Sequence, residues 1–174
     1  MSVNDENSPP VPEGELLWFV AHTRPRCEKK LAQYCEREGF RSTLPCYRSV
    51  RQYRGKKVVF YKPLFPNYLF LHLAPGQARR VYQSDYVANL LDVPDQGLFA
   101  QQLGDILKAL ETDLEVRQAP EIGEGRRVRI KAGPLRGMEG WVDQRHGVTT
   151  VMLRLDFIAQ AAAVKVDVSE LELA

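Results

Sequence analysis

The sequence predicts two small domains. The first is an α+β domain, an antiparallel sheet with flanking helices, and the second is a small all-β barrel of SH3-like type. Three observations predict this. Helical and strand periodicities alternate up to about residue 114; a Pro- and Gly-containing segment poor in apolar residues follows; beyond it only short alternating segments remain. The boundaries expected are a disordered tail over 1–14, an α+β domain over 15–114, a linker over 115–124 and a β domain over 125–174.

The N-terminal run MSVNDENSPPVPEGE lacks the basic and apolar regions of a signal peptide. No stretch approaches the roughly 18–20 apolar residues that a membrane helix needs. A cytoplasmic location, with no membrane partner, is expected. Leu16–His22 (LLWFVAH) is a short apolar run that reads as a buried strand. Thr23 and Pro25 supply a helix start. The helix runs to about Glu38, where Gly39 closes it. Cys27, Leu31 and Cys35 recur at i, i+4 and i+8 and mark its packed face. Arg26, Lys29, Lys30, Gln33 and Arg37 form a basic stripe on the other.

Two strands are expected over Thr43–Val50 and Lys57–Tyr61, joined by RQYRGK, where Gly55 can take a positive φ. Tyr68–Leu73 (YLFLHL) reads as a further strand, Pro75–Ser84 as a short helix and Val87–Leu91 as a short strand. Phe99, Leu103, Ile106, Leu107 and Leu110 mark one face of a helix over about Leu98–Leu114. EVRQAPEIGEG reads as the linker. RVRI, EGWVDQ, TTVMLRLDF and AAVKVDVSE then give the strands of the β domain. A barrel of about fifty residues lies near the lower limit for independent folding, and closure hides its strand edges.

Charge is unevenly placed. Arg24–Lys62 carries twelve Lys/Arg against three Glu, whereas the whole chain has a formal net charge of only +2. A basic segment on an otherwise acidic chain suits a surface that meets phosphates or an acidic protein. Cys27, Cys35 and Cys46 are odd in number and show no C-x-x-C spacing, which argues against disulfides and zinc. No nucleophile–base motif, phosphate-binding glycine loop or metal spacing is present, so neither an enzyme nor a cofactor is expected.

Two motifs carry a resemblance. GRRVRIKAGPLRGMEGWV, over Gly125–Val142, resembles the KOW motif of NusG and of several ribosomal proteins. Trp18-Phe19-Val20, then the basic helix, then KPLFPNYLFL over Lys62–Leu71 resemble the N-terminal (NGN) domain of NusG factors. The form PLFPNYLF, preceded by an arginine–glycine hairpin tip, is similar to the specialised RfaH-like members.

The resemblance implies a monomeric transcription elongation and antitermination factor. Its N-terminal domain would dock on the clamp helices of the largest RNA polymerase subunit, through His22, Phe65, Pro66, Tyr68 and Phe70. Phe65, in a proline-flanked approach outside any strand, is expected to be exposed, while Tyr68 and Phe70 have the alternative of alternating into the sheet core. Arg24, Arg26, Lys29, Lys30, Arg37 and the stacking candidate Tyr34 would face the displaced non-template DNA strand. Arg48, Arg51, Arg54, Lys56 and Lys57 would extend the patch toward upstream duplex. RfaH-like factors also carry a threonine-rich patch, and Gln77–Tyr82 (QARRVY) lacks it.

The KOW domain would recruit the termination factor Rho or a small-subunit ribosomal protein through Leu135, Met138, Phe157 and Ile158. For Phe157 and Ile158 a place in the barrel core is the alternative. Some RfaH-like relatives refold this domain as a helical hairpin. Here Gly133, Pro134, Gly137 and Gly140 oppose a helix, so a permanent barrel is expected. The competing reading is a ribosome- or RNA-binding KOW protein.

Overall fold

A computed structural model describes residues 14–120, 125–145 and 147–174; the expected tail therefore lies almost wholly outside the described residues. The elements in chain order are β1 (Leu17–Thr23), α1 (Glu28–Glu38), β2 (Arg41–Thr43), β3 (Cys46–Tyr53), β4 (Lys56–Pro63), β5 (Tyr68–Leu73), α2 (Pro75–Val81), β6 (Val87–Asp92) and α3 (Gln96–Leu110). They continue with β7 (Val116–Pro120), β8 (Arg127–Ile130), β9 (Glu139–Arg145), β10 (Val148–Leu155), β11 (Gln160–Lys165) and β12 (Leu171–Leu173). Two compact units result. One combines the described residues up to Leu44 with Pro66–Pro94, and the other combines Pro45–Phe65 with Asp95–Ala174.

The first unit is a four-stranded antiparallel sheet in the order β2-β5-β1-β6. Side chains alternate across a strand, so Phe19 and Ala21 of β1 face one side with Leu69, Leu71 and Leu73 of β5. Leu31 and Cys35 of α1 and Ala78 and Val81 of α2 join them in one buried cluster. α1 begins five residues after Thr23, which is the last residue of β1, because the chain first turns through Arg26 at φ 61°. Gly39 ends the helix as expected. At φ 72° its N–H and that of Phe40 reach the carbonyls of Glu36 and Cys35.

The second unit holds a β3–β4 ribbon and a six-stranded antiparallel sheet in the order β12-β8-β9-β10-β11-β7. β3 lies three residues further along the chain than its periodicity indicates, at the same length, and β4 gains one residue at its start and two at its end. The turn shrinks to Arg54-Gly55, both at positive φ (50° and 76°), the two-residue geometry whose twist matches paired strands. The linker reading changes as well. Val116–Pro120 pairs with β11 as a sixth strand, so backbone hydrogen bonding overrides a composition that reads as coil; 121–124 lie outside the described residues. β7 and β12 are the two edges of this ladder, and no described pairing joins them into a closed barrel.

α3 ends at Leu110 and is capped by Asp95, whose Oδ1 accepts the Leu98 N–H at 3.0 Å. Its apolar face buries Phe99, Leu103, Ile106 and Ala109. Gln102 and Asp156 exchange two hydrogen bonds, of 2.9 and 3.0 Å, and Phe99 meets Phe157 edge to face at 6.3 Å. No helix among the described residues is long and apolar enough to cross a membrane.

Candidate functional site

The second face of the first sheet carries the most distinctive side chains. Register sets Trp18 opposite His72, Val20 opposite Phe70, and His22 opposite Tyr68, all on the face away from α1. Trp18 and His72 stack at 4.5 Å and 16°, His22 and Tyr68 at 5.4 Å and 28°. Between these two pairs, Val20 and Phe70 are fully buried. His22 is exposed, while Trp18, Tyr68 and His72 are half-buried.

The loop that enters β5 is held from both sides. The Asn67 N–H donates to Glu28 Oε1 at 2.8 Å, and the Asn67 carbonyl accepts the Thr23 N–H at 2.8 Å. Asn67 sits at φ 69°, a left-handed conformation that Asn tolerates better than most residues. Glu28 is itself buried at the first turn of α1, so this carboxylate joins the helix to the start of the aromatic face.

This geometry corrects one expectation. Phe65 is 1% exposed, and Leu64 beside it is fully buried. The cause is local. β4 continues through Pro63, the Leu64 N–H bonds to the Pro45 carbonyl at 2.8 Å, and the chain turns inward before Pro66. Phe70, expected at the docking surface, is equally inside, in keeping with its strand alternation. Of the five residues named for docking, His22 and Pro66 are exposed and Tyr68 is half-exposed.

The basic stripe is at the surface. Arg24, Arg26, Lys29, Lys30 and Arg37 are all exposed, together with Arg54 at the ribbon tip. Tyr34 is not a projecting ring. It is half-buried, its edge meets Phe40 at 6.5 Å, and its hydroxyl donates to the Arg80 carbonyl. Burial, then the Glu38 carboxylate, push its phenol above the ordinary value. Arg80 bonds Glu38 at 3.0 Å and lies over the Phe40 ring at 5.1 Å, which ties α2 to α1; Arg79 is exposed.

In the C-terminal sheet the expected partner surface is largely interior. Leu135 is 1% exposed, Met138 7% and Ile158 9%. The turn around Leu135 explains its burial. Gly133 and Gly137 take φ 84° and 92°, Arg136 N–H bonds Gly133 O, and Gly137 N–H bonds Ile130 O, so the chain folds back over Leu135. Phe157 alone of the four is partly accessible. A different cluster occupies the surface. The Arg154 guanidinium lies 3.7 Å from the Trp141 ring centre, Arg127 lies at 5.8 Å, and Glu139 bonds Arg127 and Arg129 at 2.6 and 2.7 Å. The Arg129 hydrogen bond, with Arg127 adding, holds the Glu139 carboxyl below its ordinary range.

The sequence reading missed Trp18–His72, Glu28 and Asn67. Each depends on a partner about forty or more residues away. The available signal was partial: Asn67 follows Pro66 in a turn-forming pair, and Trp18 shares strand parity with His22.

No group of three or more His, Cys, Asp or Glu among the described residues is placed to hold a metal. No curated protein matches the chain. Residues 16–96, just under half of the chain and running from β1 to the start of α3, match the family model NusG, described as transcription termination factor nusG, and this segment is thereby similar to a family of transcription factors.

Proposed function

We propose that the chain is a transcription elongation and antitermination factor of the NusG family, with an RfaH-like specialisation, and not an enzyme. The observation that carries this is the NusG match over residues 16–96, the segment that holds the aromatic pairs His22–Tyr68 and Trp18–His72. The N-terminal domain docks on the clamp helices of the largest RNA polymerase subunit. His22, Pro66 and Tyr68, the accessible members of the set, make the contact. Half-exposed aromatic side chains that are already ordered lose little freedom on binding and suit a protein anchor. Binding one conformation of the polymerase better than another shifts its pausing equilibrium without any chemical step by the factor.

Arg24, Arg26, Lys29, Lys30 and Arg37 give α1 and its approach a cationic surface for the non-template strand. The C-terminal domain, read as a KOW domain, recruits Rho or a small-subunit ribosomal protein, with Phe157 the accessible apolar candidate. The ribosome- or RNA-binding alternative leaves the aromatic sheet face without a role.

The test is titration of the protein onto RNA polymerase elongation complexes, with single-round transcription on the same complexes. Saturable binding with altered pausing, both weakened about tenfold or more by the double substitution His22→Ala/Tyr68→Ala, supports the proposal. Binding to structured RNA but not to polymerase favours the alternative.

A further inference from the structure

The β3–β4 ribbon is unlike the rest of the molecule. Between Cys46 and Pro63 it holds six Lys/Arg and no Asp or Glu. Large apolar side chains on it stand in solvent: Val50 at 50% exposure, Tyr53 at 64%, Phe60 at 46% and Tyr61 at 61%. Exposed apolar side chains clustered on one short element, rather than scattered singly, mark an interaction site.

Register sorts these residues. Tyr53 pairs with Lys56, Arg51 with Val58, Ser49 with Phe60 and Tyr47 with Lys62, and all eight share one face. Tyr53 and Phe60 thus stand two rungs apart, roughly 14 Å along the ribbon at about 3.4 Å per residue. Arg51 lies between them, with Lys56 and Lys62 at the flanks. The opposite face sets Arg48 beside Tyr61 and Lys57 beside Gln52. Arg54, at the turn, places its guanidinium 5.5 Å from the Tyr53 ring centre.

We propose that this ribbon binds single-stranded nucleic acid, with Tyr53 and Phe60 as stacking platforms for bases and Arg51, Arg54, Lys56 and Lys62 as phosphate contacts. Charge selects a polyanion. The exposed rings select unpaired bases, because a duplex keeps its base faces stacked internally and offers phosphates and groove edges instead. Cations alone would suit duplex equally well; rings interleaved with cations suit a strand whose bases are free to stack. The inference does not depend on polymerase docking and is tested without polymerase.

The experiment is fluorescence anisotropy of the full-length protein with labelled single-stranded DNA, single-stranded RNA and duplex DNA of mixed sequence. Anionic phosphatidylserine vesicles are tested in parallel. Single strands of either sugar should bind more tightly than duplex, and the DNA and RNA arms identify which strand is preferred. Tyr53→Ala/Phe60→Ala should weaken single-strand binding about tenfold or more and leave duplex binding unchanged. Arg51→Ala/Arg54→Ala/Lys56→Ala removes three cations and should reduce the salt slope of single-strand binding by about 2. All these side chains are exposed, so circular dichroism should show an unaltered fold; an unfolded double variant is replaced by Tyr53→Ser/Phe60→Ser, held to the same readout. Equal or tighter duplex binding, indifference to the ring substitutions, or vesicle binding without single-strand binding overturns the proposal.

Discussion

Replacing Glu28 by alanine removes a side chain that joins α1 to the loop entering β5. The Glu28 carboxylate accepts the Asn67 N–H at 2.8 Å in a site where Glu28 is only 8% exposed. A hydrogen bond to a charged group contributes about 1.5–3 kcal/mol, and a partly buried N–H left unpaired keeps much of its desolvation cost. Because Asn67 is only half-buried, water recovers part of that, and the expected loss is about 2 kcal/mol. For a unit of this size the same loss lowers Tm by roughly 8–16 °C. Glu28→Gln retains an acceptor oxygen at the same reach and should cost about 1 kcal/mol or less. The assay is urea unfolding followed by Trp18 fluorescence in a Trp141→Phe background, so that the first unit alone reports. Tyr68 follows Asn67 directly and stacks on His22, so Glu28→Ala should also weaken polymerase binding more than Glu28→Gln does. An unchanged midpoint for Glu28→Ala, or a larger loss for Glu28→Gln than for Glu28→Ala, would refute the clamp.

Four further outcomes are expected. The buried Thr23 hydroxyl has no hydrogen-bond partner among the described residues, so Thr23→Val should leave stability unchanged or raise it by up to about 1 kcal/mol in the same urea titration. A Cβ at Gly140 would meet Met152 O and Val151 Cγ1 at 2.7 Å, so Gly140→Ala should destabilise the C-terminal sheet by about 1–3 kcal/mol, read from Trp141 fluorescence in a Trp18→Phe background. Gly104, mid-helix in α3 with open space around it, should by contrast gain about 0.5–1 kcal/mol on substitution by alanine. Burial pushes the Cys35 thiol up to about 12 from an ordinary 9.0. The unfolded chain therefore releases this proton from about pH 9 while the folded chain keeps it, and stability falls as pH rises between 9 and 12. In Cys35→Ala that fall should be shallower, and in the native protein Cys27 should be alkylated while Cys35 is spared.

Local periodicity made much of the fold legible. β5 appears over the expected residues, α1 is closed by Gly39, and β8, β9 and β10 fall within about two residues of where alternation placed them, whereas β11 ends at Lys165, short of the expected segment, and β12 lies beyond the segments expected. The misses arose where distant pairing overrode local composition. Val116–Pro120 reads as linker, yet it is a strand because β11 offers it an unpaired edge. Phe65 reads as an exposed ring between prolines, yet it is inside because β4 runs on to Pro63 and directs it there. Leu135 reads as part of a partner surface, yet two glycines at positive φ fold the turn back over it. The basic stripe was the most legible part of the candidate site, since exposure of Lys and Arg is the default. The stacked pairs on the sheet were not, because β1 and β5 are separated by residues 24–67 and local sequence does not give their cross-strand register.

The central claim is that the aromatic face of the first sheet docks on RNA polymerase. The most direct measurement is the dissociation constant of the protein for reconstituted elongation complexes, with Tyr68→Ala and His22→Ala compared with the surface control Gln83→Ala. The account predicts saturable binding, weakened several-fold by each face variant and unchanged by the control. Binding that is indifferent to both face variants, with the fold intact, would contradict it.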